Sequence, residues 1–359
     1  MDKNPLSKIY TLIRNLGVVK HKSRQEFLCS LLEGLIKSRS VLFSEIADKI
    51  DLDIKTESVE RRIQDFFQKV NFDYLQLGRL LLSFVHHHRV VLSIDRTEWD
   101  FGLVQVNILC VVVSIGKMAV PVYFEMLDNN SGNSNSDDRI SLFKSLVRLI
   151  GKERIELLVM DREFVGHKWL SWLKSEYIPF CVRVPKHHTL LFNDGDRVHV
   201  EELLQTSDRF TAKQVVVDQV VVNLALSYDV KGELLYLIGT GEPMNLPRQY
   251  KKRWSIEVFF QALKGRGFNL EQSCLKNIEK YKKLFAVVCL AYTVCWATGI
   301  QDGQQNPVKQ KNHGYPQYSV FRRGLNLLRK FYKKQVLEPI WLALVLAEER
   351  IFGPPKIIG

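Results

Sequence analysis

The sequence lacks the features of secreted and membrane proteins. Its six cysteines are scattered over 359 residues and form no CxxC pair, which indicates buried thiols in a reducing compartment rather than a disulfide framework. The start, MDKNPLSKIYTLIRNLG, is polar and basic and contains no apolar stretch typical of a signal peptide. The longest apolar run, from Leu284 to Ile300, is too short for a comfortable membrane span. We therefore expect a cytoplasmic protein with no membrane association, in which this run forms a buried core helix.

Acidic residues are also in short supply. The chain has 39 Asp and Glu against 51 Lys and Arg, a formal net charge of +12. This excess favours a polyanionic partner such as nucleic acid, although a merely basic surface would give the same count. The shortage is greatest between Gly303 and Leu337, where eight Lys or Arg occur and no acid. That segment is predicted to contact phosphates or, alternatively, to be a solvated basic tail.

The first 87 residues show apolar spacing typical of helices and no convincing strand. Two short helices are predicted around Phe43 to Ile50 and Glu57 to Phe67. They form either a helix-turn-helix, whose second helix presents Arg61 and Arg62 to DNA, or part of a plain helical bundle.

The pattern then changes to strands. A β-branched run ends in Asp95, and two further strands follow it as a meander. A polar loop, an amphipathic helix, a strand ending before Asp161, another helix and a short strand come next. This order predicts a mixed α/β sheet. The predicted strands are 90–94, 104–115, 120–124, 155–160 and 179–184.

Residues 185–247 are rich in strand patterns separated by polar turns, and we interpret them as an inserted all-β unit. Helical spacing returns at Arg248 and persists through Ile300. A linker rich in Gln, Asn, Gly and Pro then leads into a basic helical tail.

Asp95 and Asp161 each follow directly on a buried strand, where α/β sheets place site residues. Either residue alone is more often a cap on the following turn than a functional group. If the two strands are neighbours, however, the two carboxylates meet and repel each other. They then need a cation to stay ionised together.

A third acid lies on the helix predicted over residues 248–267. At helical spacing, Tyr250, Arg253, Glu257 and Lys264 share one face. An exposed amphipathic helix with an ordinary pair between Arg253 and Glu257 would be the simpler interpretation, and such pairs contribute only tenths of a kcal/mol. The combined spacing is more specific than such a pair.

Together these motifs resemble a known enzyme family. Asp95 lies in SIDRTEW, Asp161 lies in VMDREF, and the helix carries the spacing Y-x2-R-x3-E-x6-K. The three motifs, in this order, resemble those of the DDE transposases of bacterial insertion sequences, in particular the group with a YREK motif. The stretch GNSNSDDRISLF is also similar to a loop and helix of that family. The resemblance extends from about Val90 to Ser273.

The resemblance implies a fold and a domain organisation. The fold class is α/β, with a ribonuclease H-like mixed sheet core interrupted by an all-β subdomain, a helical N-terminal domain and a helical C-terminal tail. The implied boundaries are 1–87 for a DNA-binding domain, 88–184 with 248–300 for the catalytic core, 185–247 for the insertion and 301–359 for the basic C-terminal region.

The resemblance also implies the chemistry. Asp95, Asp161 and Glu257 would be the catalytic residues and the metal ligands. Carboxylate oxygens suit Mg²⁺, with Mn²⁺ as a substitute, and two such ions support phosphodiester hydrolysis and transesterification. On the face of Glu257, Arg253 and Lys264 would hold a phosphate, with Arg253 bidentate. The remaining DNA contacts would be Tyr250, donating to the phosphate, and Tyr236, stacking on a flipped base, although a Tyr on a strand is more often simply buried.

The implied function is a DNA transposase that cuts the ends of an insertion sequence and joins them to target DNA by a cut-and-paste route. Its partners would be double-stranded DNA, both element ends and target, and a second copy of the chain in a homodimer. It would be associated with the bacterial nucleoid. Two alternatives stay open: an inactive or domesticated DNA-binding protein of the same fold, and a generic ribonuclease H-like nuclease that cuts without joining.

Overall fold

The computed structural model describes residues 5–101, 104–127, 134–192, 195–204, 209–229, 232–307, 310–312, 314, 316–334 and 338–353. The chain divides into two compact units. We call them the helical unit, formed by Met1–His86, Trp99–Val104 and Phe260–Gly359, and the sheet unit, formed by His87–Glu98 and Gln105–Phe259.

Twelve α-helices occur in the described part of the chain. They are α1 (Pro5–Leu16), α2 (Lys22–Ser38), α3 (Phe43–Ala47), α4 (Thr56–Lys69), α5 (Tyr74–Leu82), α6 (Ser136–Ile150), α7 (His167–Ser175), α8 (Leu246–Tyr250), α9 (Trp254–Leu263), α10 (Ile278–Gln305), α11 (Val320–Lys334) and α12 (Glu338–Phe352). The two helices predicted near residues 43–50 and 57–67 are therefore present as α3 and α4.

Ten strands form one sheet within the described residues. They are β1 (Val90–Phe101), β2 (Val104–Ile115), β3 (Met118–Met126), β4 (Ile155–Met160), β5 (Phe180–Arg183), β6 (Thr189–Leu191), β7 (Arg197–His199), β8 (Phe210–Val217), β9 (Val220–Tyr228) and β10 (Leu234–Gly239).

The helical unit is built around α10. This 28-residue helix is long and apolar enough to cross a membrane by length and composition, but 94% of its most apolar window is buried inside the protein. The helices α2, α4, α5, α11 and α12 pack around it. An apolar surface on all sides is what a helix at the centre of a core requires. The prediction of a buried core helix over residues 284–300 is thus confirmed.

Helices α10 and α11 approach each other through two glycines. A Cβ added at Gly299 would overlap the carbonyl oxygen of Val320, and one added at Gly324 would overlap that of Cys295. The two backbones are therefore closer than any pair of side chains at these positions would allow. Flanking this contact, Phe321, Leu325 and Leu328 of α11 are buried at helical spacing.

In the sheet unit the strand order is β3-β2-β1-β4-β5-β10-β9-β8-β6-β7. Strands β1, β4 and β5 run parallel, whereas β2 and β3 form an antiparallel pair. Three consecutive strands followed by two parallel crossovers, in the order 3-2-1-4-5, give the ribonuclease H-like core, so the predicted fold class is confirmed. Strand β10 joins β5 antiparallel, and the strands of residues 185–247 thereby continue the same sheet.

The central strands need a cover on both faces because they consist mostly of apolar residues. On one face, α8 closes the core with Leu246 and Tyr250, which cluster with side chains of five strands. The strand members of this cluster are Val91, Leu157, Val159, Cys181, Ala225, Leu235 and Leu237. The start of the helical segment is thereby fixed to the sheet.

The crossing of α10 and α11 yields a stability prediction. Gly324→Ala forces a methyl group into the backbone of α10, so we expect it to lower the free energy of unfolding by about 1–3 kcal/mol or more. Gly303→Ala is the matched control, because a Cβ there meets nothing within 4 Å, and removing a helical glycine stabilises by up to about 1 kcal/mol. Urea unfolding measures both. Equal stability of the two variants would contradict the close crossing.

Candidate active site

Three carboxylates from separate elements of the sheet unit meet at one edge of the sheet. Asp95 lies in β1, Asp161 directly follows β4, and Glu257 lies on α9. Strands β1 and β4 are parallel neighbours, with Ile94 opposite Met160. The next residue of each strand is an Asp, and the register therefore places the two side by side.

One guanidinium group joins the three acids. Arg253 Nη1 lies 3.2 Å from Asp95 Oδ2 and 3.8 Å from Asp161 Oδ2, while its Nη2 donates to Glu257 Oε1. Arg253 is only 12% exposed, and the three carboxylates are 19–29% exposed. At this degree of burial the ion pairs are less screened than those on an open surface.

The other oxygen of each Asp is fixed by the protein. Asp95 Oδ1 accepts a hydrogen bond from the backbone N–H of Arg96 at 2.8 Å, and Asp161 Oδ1 accepts one from that of Arg162 at 2.8 Å. The Tyr250 hydroxyl also donates to Asp161 Oδ1, at 3.0 Å. Asp161 therefore caps the short turn that follows it, as strand-terminal aspartates commonly do. Asp95 instead lies within β1, which continues to Phe101 and does not end at residue 94 as predicted. The Oδ2 atoms of both aspartates are left to face Arg253.

Burial and mutual repulsion control the protonation of this cluster. Burial raises the pKa of Asp95 from 3.8 to about 7, against the opposing effects of Arg253 and the Arg96 N–H, with Asp161 and Glu163 adding to the rise. Burial also raises the pKa of the Tyr250 phenol, so it remains a hydrogen-bond donor. The cluster carries more negative charge than its single guanidinium offsets, a state that attracts a further cation.

Three serine hydroxyls form a hydrogen-bonded chain that joins β1 and α9, the elements that carry Asp95 and Glu257, through β2. Ser93 of β1 hydrogen-bonds Ser114 of β2 at 2.8 Å, and Ser255 of α9 donates to the same Ser114 oxygen at 2.8 Å. Ser93 and Ser255 are fully buried, and each lies two residues before a site acid. Because buried hydroxyls need partners, this chain fixes the position of α9 against the sheet and with it Glu257.

A second layer of charge supports the loop after Asp161. Glu163 Oε2 accepts from Arg96 Nε at 3.2 Å, and the Glu163 carbonyl accepts from Arg139 Nη2 at 2.8 Å. Arg139 is 4% exposed and reaches this loop from α6, whose N-terminus has a capping box of Asn135 and Asp138. The stretch NSDDR therefore begins the helix and supplies the arginine that anchors the turn.

The site opens into a cavity of about 500 Å³. Its lining consists of Asp95, Asp161, Arg162, Glu163 and Pro185. Three acids and one arginine give it a polar wall suited to a hydrated cation or a phosphodiester rather than to an apolar ligand.

The donor set fits a divalent metal in its chemistry. Carboxylate oxygens are the ligands that Mg²⁺ and Mn²⁺ prefer, and Asp95 and Asp161 share the single positive charge of Arg253 with Glu257. Among the described residues, no group of three His, Cys, Asp or Glu side chains is arranged as a ready-made metal site. Arg253 lies between the acids instead, where it contacts the oxygen atoms that a metal would need.

Tyr250 and Arg253 belong to the carboxylate cluster, but Lys264 and Tyr236 make different contacts. Lys264 belongs to the helical unit, where it begins a π-helical turn, pairs with Glu271 at 2.8 Å and lies over the Trp99 ring. Tyr236 is 8% exposed within β10, and no contact recorded for the described residues joins it to the acids. The buried position that is typical of a strand Tyr is the one observed.

Arg61 and Arg62 lie on the exposed face of α4, opposite the buried Val59 and Ile63. The Arg62 guanidinium lies over the Phe27 ring, 4.4 Å from its centroid. Both are therefore on a solvent-facing surface of the helical unit, and their role in binding DNA stays a prediction.

Sequence reasoning missed two features of this region. The serines were not singled out, since a buried serine has no characteristic pattern until its partners are known. The second feature is Trp254, whose side chain is 54% exposed, one position after Arg253 on the chain. An exposed Trp beside a charged site is uncommon, because Trp is highly buried on average.

The pKa of Asp95 predicts a pH-dependent stability. Since its folded pKa is raised to about 7 from 3.8, its favourable protonated form is retained at low pH, and stability is lost as the pH rises from about 4 to about 7. We expect Asp95→Asn to be more stable than wild type at pH 8, by at most about 4 kcal/mol, and the gain to shrink towards pH 4. Urea unfolding across this range measures it, with Glu156→Gln on β4 as the control. A less stable Asp95→Asn at pH 8 would contradict the raised pKa.

Two solved structures illustrate how weak the structural similarities are. The chain shares 11% identity and a TM-score of 0.42 with a piggyBac transposase in a synaptic complex with hairpin DNA, over 99% of this chain and 84% of that one. It shares 9% identity and a TM-score of 0.25 with endonuclease V of Bacillus subtilis, over 56% and 84% respectively. Neither similarity establishes a function. No curated protein matches the chain in sequence.

The family comparison is more specific. Residues 129–294 match the family model of the transposase DDE domain. This span contains Asp161 and Glu257, whereas Asp95 lies before it. The subgroup defined by Tyr250, Arg253, Glu257 and Lys264 stays a prediction. The match confirms the resemblance to DDE transposases that the carboxylate motifs implied.

Proposed function

We propose that this protein is a DNA transposase in which Asp95, Asp161 and Glu257 are the catalytic residues. The observation that carries the proposal is the convergence of these three acids, from two strands and a helix, on the single guanidinium of Arg253. A purely structural ion pair needs one acid for one base. Three partly buried acids around one arginine destabilise the apo fold, and such an arrangement is typical of a functional site.

The cofactor in this proposal is a divalent cation, Mg²⁺ or in its place Mn²⁺, held by Asp95, Asp161 and Glu257. When bound, it supplies Lewis acidity and lowers the pKa of a water or a 3′-hydroxyl. Burial raises the pKa of Asp95, and a bound cation would offset this effect by favouring the deprotonated form that a metal ligand needs. To hold the cation, the three acids would have to give up at least part of their contacts with Arg253.

Arg253 then has a second role. A guanidinium freed from one carboxylate presents paired N–H donors that match two oxygens of a phosphodiester. Tyr250 remains neutral and donates a hydrogen bond within the same cluster. Lys264 is the further phosphate contact in this proposal, reached once its pair with Glu271 opens.

The proposed partner is double-stranded DNA, as element ends and as target. The net charge of +12 supports a polyanionic partner, and the piggyBac structure to which the chain is weakly similar is itself a complex with hairpin DNA. In the helical unit, the segment 1–87 with Arg61 and Arg62 is the proposed DNA-binding domain. A homodimer, a cut-and-paste route and association with the nucleoid complete the proposal.

If a base is flipped out during the reaction, two aromatic residues are candidates to stack on it. Tyr236 was the one predicted from the sequence, but its ring has to leave the interior of β10 to do so. Trp254 already presents an exposed ring on α9, three residues before Glu257. An exposed indole stacks on any base, because every base has a π-face.

Two other functions remain as alternatives. A DNA-binding protein without activity would keep the fold and need no acid cluster, whereas a ribonuclease H-like nuclease would cut DNA of any sequence and join nothing. The acid cluster around Arg253 favours catalysis over binding alone. Only joined product separates a transposase from a nuclease.

The direct test of the function uses labelled duplexes that carry the sequences flanking this gene, incubated with purified protein and Mg²⁺ or Mn²⁺. We expect wild-type protein to cut at the element end and to form joined product. Glu257→Gln should lower the rate by about 10³-fold or more, since it removes one charge from a site that acts as a unit.

The matched control is Glu156→Gln, which removes an exposed carboxylate of β4 and should retain most of the rate. Specific binding without cleavage by the wild type would favour the inactive DNA-binding protein. Cleavage of any duplex without joining would favour the nuclease.

Metal binding is tested separately from DNA. Mn²⁺ should raise the melting temperature of wild-type protein by several degrees at saturation, because a ligand that binds only the folded state stabilises it. Asp161→Asn should lose most of this shift, and Glu156→Gln should keep it. An equal shift in all three proteins would place the metal elsewhere.

A further inference from the structure

Three arginines of the helical unit lie together without an acidic partner among the described residues. Arg39 ends α2, and Arg322 and Arg329 lie seven residues apart on α11, hence on one face of that helix. Helix α2 packs against α11. Among the described residues, no hydrogen bond or ion pair engages the guanidinium group of any of the three.

The arginines are close enough to affect one another. Burial, followed by repulsion from Arg322 and Arg329, lowers the pKa of Arg39, and no carboxylate offsets this effect. The Arg39 Nε atom is buried without a hydrogen-bond partner. A buried N–H donor of a charged group left unpaired is costly, which indicates a missing acceptor.

Charged residues next to these arginines do have partners, so the lack of a hydrogen-bond acceptor is limited to the arginine cluster. Arg323, beside Arg322, donates to the carboxylate of Asp302, and Lys37, on the last turn of α2, pairs with Glu33. Acids are therefore available in this unit, but in the described part of the chain none forms an ion pair with the three arginines.

The backbone at Arg39 adds a second indication. This residue adopts the left-handed conformation, with φ 62° and ψ 29°, at a helix end where glycine is the usual choice. A glycine would relieve the strain and remove the guanidinium. Strain kept at such a position is typical of a site that uses the side chain.

We propose that Arg39, Arg322 and Arg329 form a phosphate-binding site that holds the backbone of duplex DNA against the helical unit. The inference rests on the proposed action on DNA and assigns a contact surface distinct from the carboxylate cluster. Arginine binds phosphate oxygens through paired N–H donors, and one phosphate group supplies the acceptors and the negative charge that the cluster lacks. Such contacts read no base sequence, so they position DNA of any sequence.

The test measures the affinity for a duplex of about 30 base pairs by fluorescence anisotropy across a range of KCl concentrations. Arg329→Gln and Lys330→Gln each remove one positive charge from the same helix, and Lys330 is exposed. We expect Arg329→Gln to weaken binding several-fold. The plot of log K against log[salt] should become less steep, with the magnitude of its negative slope reduced by about 1, the change for one lost phosphate contact. Lys330→Gln should stay within about 0.3 of the wild-type slope.

A melting measurement guards against misfolding. Without DNA, Arg329→Gln should melt at or above the wild-type temperature, because it relieves repulsion, and added duplex should raise its melting temperature less than that of wild type. Equal slopes for Arg329→Gln and wild type, an equal loss in Lys330→Gln, or no binding of duplex by wild type would each overturn the site. Binding that depends on Arg329 without any cleavage would overturn the proposed catalytic function and leave this site supported.

Discussion

The contact of Arg253 with three carboxylates is the interaction on which the proposed site depends. Asp95, Asp161 and Glu257 come from β1, the end of β4 and α9, so their meeting requires the parallel pairing of two strands and a fixed position of the helix. Without a cation between them the acids would repel one another or take up protons. Arg253 supplies one positive charge, and the excess of negative charge that remains is the reason to expect a metal.

The rest of the sheet unit serves to maintain this geometry. The parallel register of β1 and β4 places Asp95 beside Asp161, and the backbone N–H groups that follow hold one oxygen of each. The chain of Ser93, Ser114 and Ser255 fixes α9 to the sheet. Together these contacts leave the Oδ2 atoms of Asp95 and Asp161 directed at Arg253. In the proposed reaction, a metal ion would replace part of the contact with Arg253 at this position.

Much of this was predictable because it depends on local patterns. The apolar run before Asp161 gives the end of β4, whereas β1 continues through Asp95 to Phe101. The 3.6-residue period puts Tyr250, Arg253 and Glu257 on one helix face. The role of Arg253 was not predictable in full. Its pair with Glu257 follows from i, i+4 spacing, but its contact with Asp95 joins residues 158 positions apart and depends on the tertiary structure.

The same difference between local patterns and long-range contacts explains which features could not be predicted from the sequence. The hydrogen bond from Ser255 to Ser114 spans 141 positions and has no local signal. The exposure of Trp254 has no local signal either, because tryptophan is usually buried and only the packing of α9 shows that its ring is exposed. Arg39 gives no hint in sequence either, since its significance depends on α11 lying beside the end of α2.

The most direct test of the central claim is a crystal structure with Mn²⁺, recorded at the manganese absorption edge. We predict an anomalous peak at the Asp95 and Asp161 carboxylates, with Arg253 withdrawn from at least one of them. A structure in which Arg253 still contacts all three acids while manganese binds elsewhere, or nowhere, would contradict the proposed metal site.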